Sequence, residues 1–467
     1  MCFSHGAAMR IDRLSRLASI LGLGRSTGRL HALTVVLYLV STVPAAAITL
    51  LRDADIEHGL SQLSAPVLRA AGLNPNRVRI LVVNDSSLNA FVIDGQTIFV
   101  HYGLILKVQS SDMLQAVIAH EAAHIANGHI ARRMGNLRSA RTAAGLGTAL
   151  AVIAAAAGAG NAAGGIAIGT ATSAMRGFLS HTRAEEAAAD RSAAAYMRNA
   201  GLNPQGLVDL HKTFQGQVSL SLDRQDPYMQ SHPLTRDRIR AAEAYVAAHG
   251  SGDPPNRTAN AYWFARVRGK LSAFTRAPKW TLRRSAEDAF EDVRLMREAV
   301  AYHRLNDLAR ARKAIDAVLA LRPGDAYYLD LKGQIMLENR QMEAALSANR
   351  RAVELAPRNA MILGGYGRAL LAAGQPRAAL EPLEKSRARD FRDSRVLRDL
   401  ALAYARTGDN GMATLVTAER YALQGRMRDA GQQARRAVGL LPRGSVPWQR
   451  AQDVLIAAEQ FEKRKKR

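Results

Sequence analysis

An internal repeat of 34 residues in the second half of the chain restricts the fold more than any other feature of the sequence. It begins near residue 286, and equivalent residues recur as the pairs Pro323/Pro357, Gly333/Gly367, Leu337/Leu371 and Ala345/Ala379. A period of this length is typical of helix-turn-helix units, which bury their apolar faces only by stacking on one another. We therefore predict an all-α solenoid with a concave binding groove over residues 285–467.

The repeat is regular for about three units and drifts after Phe391. Residues 394–422 and 427–440 are expected to form further helical pairs, and the basic tail 463–467 is expected to be a disordered end. A unit of 34 residues is the signature of tetratricopeptide (TPR) repeats. TPR grooves bind other proteins, so we predict that this region binds protein clients or assembly machinery.

A second constraint is the sequence His120-Glu121-Ala122-Ala123-His124, inside an apolar run that reads as one helix over residues 114–132. Residues four apart share a helix face, so both imidazoles can hold one zinc ion. Glu121 can reach a water bound to that ion and serve as the general base of peptide-bond hydrolysis.

Two imidazoles make an incomplete catalytic zinc site, which normally has three protein ligands and a water. His129 is off register for a third ligand, and we expect it to support the site instead. Glu186 is the best candidate by residue type and spacing, on a helix predicted to begin at Arg183 behind a capping box of Thr182 and Glu185. Asp190, one turn later, is suited to accept the second N–H of a ligating imidazole.

Strand signals at residues 78–83, 90–93 and 97–100 precede the His-Glu sequence, and Asp94-Gly95 predicts a hairpin between the last two. A small sheet before such a helix predicts an α+β zincin-type fold, of the gluzincin kind because a glutamate completes the ligands. An outer strand could bind an extended substrate by strand addition, with Asn89, Ala90 and Phe91 as candidates. Core packing of Phe91 is the ordinary alternative.

The N-terminus has the composition of an export signal. A basic segment with five arginines precedes an apolar core at residues 33–43 and the sequence Pro44-Ala45-Ala46-Ala47, which predicts cleavage near Ala47. An uncleaved anchor is the alternative. The one cysteine, Cys2, would leave with this leader, so the mature chain has no disulfide.

The formal charge of +24 favours anionic surfaces, but the export signal and the absence of a recognisable module argue against nucleic acid as a partner. No charged residue occurs in residues 142–175, a stretch rich in alanine and glycine. It reads as two small-residue helices beside the active site, with a membrane hairpin or peripheral membrane contact as alternatives.

The sequence from His120 to His129, followed by Glu186 to Asp190, resembles the M48 family of zinc metallopeptidases. With the export signal and the TPR array, the chain is similar to the periplasmic, outer-membrane-associated branch of that family. The resemblance implies His120, His124 and Glu186 as ligands of one Zn²⁺, Glu121 as general base and Asp190 as partner of a ligand. Ala188 is a departure, since glutamate is frequent there in this branch.

Members of this branch also carry a His-Pro like His232-Pro233. His232 could donate to the tetrahedral oxyanion, or occupy zinc's fourth position and keep the enzyme latent; capping a loop is the structural alternative. The implied function is a periplasmic zinc endopeptidase, with chaperone activity, that acts in outer-membrane protein assembly and quality control. The competing interpretation is a TPR adaptor or chaperone with a latent peptidase domain.

These features predict four segments. They are a signal peptide at 1–47, the peptidase domain at 48–250, a linker and connecting helix at 251–284, and the TPR domain at 285–467.

Overall fold

The computed structural model of the chain describes residues 49–133, 181–221, 224–250 and 255–465. The predicted signal peptide 1–47 and the whole alanine- and glycine-rich segment 142–175 therefore lie outside the described residues. Within them, no helix is both long and apolar enough to cross a lipid bilayer.

The first part of the described chain combines a small sheet with helices. Its elements are β1 (Leu50–Leu51), α1 (Ala54–Ala70), β2 (Arg79–Val83), β3 (Ala90–Val92), β4 (Thr97–His101), α2 (Tyr102–Lys107), α3 (Ser111–Ala126), α4 (Arg183–Asn199), α5 (Gln205–Gln215), α6 (Pro227–Ser231) and α7 (Arg236–His249).

The four strands lie in the order β1-β2-β4-β3. β2 and β4 pair in parallel, whereas β1 and β3 pair antiparallel with them, and Phe91 lies opposite Phe99. The three predicted strands and the antiparallel pairing across Asp94-Gly95 are confirmed. β3 is an edge strand, and the side chains of both β3 and β4 are buried.

The helix that carries the two histidines begins at Ser111, where the Ser110 hydroxyl caps it, and ends at Ala126. The prediction of one helix over residues 114–132 was wrong in this respect. Gly128 has a φ of 70°, a left-handed conformation that ends a helix, and the chain becomes helical again only over residues 129–133. This turn of the chain brings His129 back toward His124 of α3.

The core of this region forms between α1, α3 and the sheet. Asp53 caps α1, and the predicted apolar residues of this helix are buried: Ile56, Leu60, Leu63 and Val67. Pro66 lies inside α1 without splitting it. The face of α3 that was expected to line an open cleft is also buried, since His120 and His124 are each at most 1% exposed.

The rest of the described chain is helical. Its elements are α8 (Arg257–Thr275), α9 (Pro278–Arg284), a 3₁₀ turn (Ser285–Glu287), α10 (Glu291–Arg304), α11 (Leu308–Leu321), α12 (Ala326–Glu338), α13 (Met342–Leu355), α14 (Ala360–Ala372), α15 (Pro376–Arg389), α16 (Ser394–Arg406), α17 (Asn410–Leu423), α18 (Met427–Leu440) and α19 (Val446–Lys465).

From α10 onward, consecutive helices pair as antiparallel hairpins that stack on one another, as the 34-residue period predicted. The drift in sequence after Phe391 does not interrupt this pattern, because α16 to α19 form two further pairs. The prediction of a disordered tail from Lys463 was wrong in part, since α19 continues to Lys465.

Buried ion pairs connect the repeat array to the sheet-containing region. Arg266 of α8 is 1% exposed, donates to Asp55 of α1 at 2.7 Å, and donates twice to Asp325, the N-cap of α12. Arg52, which directly follows β1, binds Asp390 at 2.8 Å. Three parts of the chain are therefore held together by ion pairs whose arginines are buried.

Candidate metal centre

His120 and His124 face one another across one turn of α3, with their Nε2 atoms 3.1 Å apart. Both oxygens of the Glu186 carboxylate, from α4, lie at these nitrogens. Oε1 is 3.3 Å from Nε2 of His124, and Oε2 is 3.3 Å from Nε2 of His120. The structure thus brings the three residues that the sequence predicted as metal ligands to one point.

His232 reaches the same point from the residue that follows α6. Its Nδ1 lies 3.2 Å from Nε2 of His120 and 3.1 Å from Oε1 of Glu186. One potential ligand atom from each of His120, His124, Glu186 and His232 lies within 4.8 Å of all the others. All four side chains are buried, so the structure offers four donors that converge out of contact with solvent.

Asp190 supports this cluster from the next turn of α4. Its Oδ1 lies 3.0 Å from Nδ1 of His120, while Arg238 of α7 donates to both of its oxygens, at 2.6 and 2.8 Å. Arg238 also lies 2.9 Å from Glu186, and His211 lies 3.5 Å from Asp190. When the His120 ring is neutral, donation by its Nδ1 to Asp190 leaves the lone pair on Nε2, which points into the cluster.

His124 has a comparable support in His129, whose Nδ1 lies 2.8 Å from Nδ1 of His124. One ring donates and the other accepts, and donation by His124 leaves its Nε2 lone pair free. The ring of His181 packs on the opposite side, 3.6 Å from the centre of the His124 ring, and Arg133 donates to its Nδ1 at 2.6 Å. His129 is thus placed to orient His124, consistent with the supporting role that the sequence favoured.

Glu121 points into the same interior and is completely buried. Neither of its carboxylate oxygens has a hydrogen-bond partner within the described part of the chain, and Nε2 of His232 lies 3.4 Å from its Oε1. Burial raises the pKa of this carboxyl group. A buried carboxylate without partners is costly, so this position fits a group that would bring hydrogen-bond donors with it, such as a metal-bound water.

The charges of the cluster shift the pKa values of its members in opposite directions. Burial lowers the pKa of His120, but Glu186 and Asp190 outweigh it and raise that pKa to about 10. Burial raises the pKa of Glu186, but His232 and His120 hold it well below its usual range. The cluster therefore stabilises one positive charge beside the carboxylate, and a divalent cation would replace the His120 proton because a ligating imidazole is neutral.

The ligand atoms of this cluster are of the kinds that bind a catalytic zinc ion. Two imidazole nitrogens and a carboxylate oxygen are a common protein ligand set for such an ion. The supporting contacts of His120 and His124, and the unpartnered carboxylate of Glu121, are also those that a hydrolytic zinc site requires.

The predicted substrate strand is covered by the segment that carries His232. Nε2 of His232 lies 3.2 Å from the carbonyl oxygen of Ala90, the amide of Tyr228 donates to the carbonyl of Leu88, and Ser231 contacts Asn89. Phe91 is 4% exposed and stacks on Phe99 at 5.2 Å, which is the core packing weighed as the alternative.

Sequence reasoning missed Arg238, His181 and His211. None belongs to a recognisable short motif, and each reaches the site from a separate helix or loop. The one available signal was the histidine content around the site, which by itself does not distinguish ligands from packing residues.

The fold and this site define a metallopeptidase joined to a helical repeat array. Residues 51–246, which include every residue of this cluster, match the sequence profile of Peptidase family M48.

Two relatives and one solved structure are similar to parts of this chain. The chain is 26% identical over 388 residues to the "Beta-barrel assembly-enhancing protease" of Escherichia coli (strain K12), which covers 82% of this chain and 78% of the relative. It is 28% identical to "Metalloprotease LoiP" of the same strain over 38% of this chain and 66% of that relative. The solved structure titled "Crystal structure of MamA" aligns with 36% of this chain and 95% of its own at 20% identity, with a TM-score of 0.28.

Proposed function

We propose that this metallopeptidase uses one Zn²⁺ held by His120, His124 and Glu186 to cleave polypeptides in the periplasm. The observation that carries the proposal is the position of Glu186. Its two carboxylate oxygens each lie 3.3 Å from the Nε2 atom of a histidine on another helix, in a buried site. Zn²⁺ at this point would lower the pKa of a bound water and polarise the scissile carbonyl.

The chain's own residues supply the remaining chemistry. Glu121, with its raised pKa and free oxygens, removes the proton from the attacking water and delivers it to the leaving amine. Asp190 and His129 hold the two imidazoles in the orientation that leaves Nε2 free. Arg238 fixes Asp190 in turn, so that a loss of Arg238 would disturb the site through its support.

We further propose that His232 keeps the site latent. Its imidazole contacts two of the three ligands, lies beside Glu121, and binds the Ala90 carbonyl on the edge strand. The same segment covers the strand edge that an extended substrate would use. Displacement of this segment would free the fourth metal position and the edge formed by Asn89, Ala90 and Phe91 together.

The proposed clients are outer-membrane proteins that have failed to assemble. Support comes from the relative named for enhancing β-barrel assembly, which matches most of this chain including the repeats, and from the predicted export signal. The TPR array would recruit clients or assembly machinery, with chaperone activity beside cleavage. We also propose that residues 142–175 contact a membrane surface.

The second candidate is a TPR adaptor whose peptidase domain stays latent, and the position of His232 favours it. Cleavage of casein by the purified, zinc-loaded chain, with and without a chelator, separates the two. We expect slow cleavage that the chelator abolishes, and cleavage several-fold faster in His232→Ala. Reduced cleavage in His232→Ala would favour the oxyanion role instead, and no cleavage by either chain would favour the adaptor.

The physiological client is identified separately. Glu121→Gln expressed in the native host should retain clients without cleaving them, so crosslinking followed by mass spectrometry identifies the captured proteins. Enrichment of outer-membrane proteins is the expected result, and their absence from the captured set would contradict the proposed client class.

A further inference from the structure

A cavity of about 560 Å³ lies where the peptidase domain meets the repeat array. One wall is the segment from Leu51 to Ala54 that joins β1 to α1, and α8 contributes a second wall. The opposite wall is formed by α12, α14 and α16, the first helices of three consecutive pairs. First helices line the groove of a stacked helical-pair solenoid, so the cavity is the part of the groove that the peptidase domain closes.

Most charged residues that line this cavity already have a partner. The three arginines pair with aspartates: Arg52 with Asp390 at 2.8 Å, Arg368 with Asp399 at 2.9 Å, and Arg395 with Asp393 at 2.9 Å. Two acidic residues are also occupied: Glu338 binds His303 at 2.8 Å, and Asp53 binds Lys270 at 2.9 Å. Each of these five side chains therefore has a partner within hydrogen-bonding or ion-pairing distance.

Asp330 is the exception. It lines the cavity from α12, yet within the described ranges it makes no hydrogen bond and no ion pair. Burial raises the pKa of its carboxyl group to about 7, with Lys270 opposing this shift and Asp53 and Asp55 adding to it. The groove therefore contains a carboxylate whose charge no neighbour fully balances.

A second acceptor lies beside it. Asn349 is 2% exposed and lines the same cavity; its amide nitrogen donates to the carbonyl of Ala345 at 2.8 Å, which orients the side chain. No donor among the described residues binds its Oδ1. Gly365 of α14 keeps the space in front of both acceptors open, because a Cβ there would lie 3.1 Å from Asp330 Oδ1 and 3.4 Å from Asn349 Oδ1.

We propose that this cavity binds a basic side chain, arginine or lysine, of an extended polypeptide, with Asp330 and Asn349 as its acceptors. A guanidinium or ammonium group supplies the N–H donors that both oxygens lack among the described residues, and its charge is complementary to the Asp330 carboxylate. The apolar residues of the lining would contact the stem of that side chain and the residues beside it: Leu51, Ile56, Leu271, Phe274, Leu337 and Val396.

This inference deepens the recruiting role given to the TPR array under the proposed function, but it does not depend on peptide-bond cleavage. Asp330 is not part of the metal cluster. Binding is therefore measured on the full chain carrying Glu121→Gln. A failure to bind would leave the peptidase proposal untouched, and a failure of the peptidase proposal would leave this binding test untouched.

The probe is an acetylated and amidated peptide of leucine and alanine with one central arginine, compared by calorimetry with the same peptide carrying citrulline. Citrulline keeps the shape of arginine but removes its charge. We expect the arginine peptide to bind about tenfold or more tightly than the citrulline peptide. Equal binding of the two peptides, or no binding of either, would overturn the proposal.

The variants identify the acceptors. Asp330→Asn should reduce binding of the arginine peptide to the citrulline level, whereas the control Asp316→Asn, on α11 outside the cavity lining, should leave it unchanged. Gly365→Ala, which places a methyl group against both acceptors, should weaken the arginine peptide too. If Asp330→Asn does not fold, the proposal is tested by Gly365→Ala and by the comparison of the two peptides on the chain without a cavity substitution. Unchanged binding in folded Asp330→Asn, or displacement of the peptide by equimolar spermidine, would contradict a site built for polypeptides.

Discussion

The requirements of folding alone do not explain the surroundings of Glu121. A fully buried carboxylate normally acquires hydrogen bonds or a counter-charge, and both oxygens of Glu121 lack hydrogen bonds within the described residues. The cost of this arrangement is understandable if the group acts on a water that the site itself binds.

Replacement of Glu121 by glutamine tests that role. Glutamine keeps the size of the side chain but cannot accept the proton, so we expect metal content to stay unchanged and cleavage of casein to fall by about 10² to 10⁴-fold. The matched control is Glu243→Gln, an exposed glutamate on α7, which should cleave at the parent rate. Parental activity in Glu121→Gln would rule out its role as general base.

At this scale, residue spacing predicted much of the site. The positions of His120, Glu121 and His124 follow from one helical turn, and Glu186 and Asp190 follow from one turn of a second helix. Spacing could not predict Arg238 or His181, because their places depend on how separate helices and loops pack. For His232 the sequence left two roles open, donation to the oxyanion or the fourth metal position, and the structure places its Nδ1 among the potential ligand atoms.

At the scale of secondary-structure elements, apolar residue patterns predicted the strands, the turn-forming pair Asp94-Gly95 predicted the hairpin, and the 34-residue repeat predicted the helical pairs. The error at residues 114–132 has a simple cause, because an apolar, alanine-rich run continues past Gly128 while the backbone there adopts a left-handed conformation. The same turn brings His129 to His124. A site closed by His232 was one alternative that the resemblance offered, but spacing alone could not choose it, since the contact joins residues more than one hundred positions apart.

The junction between α1, α8 and α12 depends on Arg266. Replacement by methionine keeps much of the volume but leaves Asp55, itself 2% exposed, without its guanidinium partner. We expect the free energy of unfolding to fall by about 3–5 kcal/mol, measured by chemical denaturation. The control Arg312→Met removes an exposed pair with Asp316 and should change it by less than about 1 kcal/mol. Equal effects would show that the junction does not contribute as its burial implies.

Asp330 makes stability depend on pH in a defined direction. Its pKa is raised to about 7 in the folded chain, so between about pH 4 and 7 the folded state binds more protons than the unfolded state, and stability falls as the pH rises through this window. Lys270 and Arg395 oppose the shift, whereas Asp53 and Asp55 add to it. We therefore measure the free energy of unfolding of Asp330→Asn and of the parent at pH 5 and pH 8. The value for Asp330→Asn minus that for the parent should be larger at pH 8 than at pH 5. A difference that is the same at both pH values would contradict the raised pKa.

Across the whole molecule, the peptidase domain and the repeat array are connected by buried charges rather than only by a linker. Arg52 directly follows the edge strand β1 and binds Asp390 in the array, while Arg395 donates to the carbonyl of Arg52 at 3.1 Å. If the groove binds a client as proposed, these contacts would hold that client at a fixed place relative to the sheet. The sequence predicted both modules, but not this contact, because no local pattern encodes pairing between residues over three hundred positions apart.

The metal content of the purified chain tests the central claim most directly. We expect elemental mass spectrometry to find one Zn²⁺ per parent chain, and its loss in Glu186→Ala. The neighbouring Glu185→Ala, which removes a helix cap and the ion pairs with Arg133 and His181 but no ligand atom of the cluster, should retain it. Full retention of zinc by folded Glu186→Ala would contradict the assignment of the third ligand and, with it, the proposed active site.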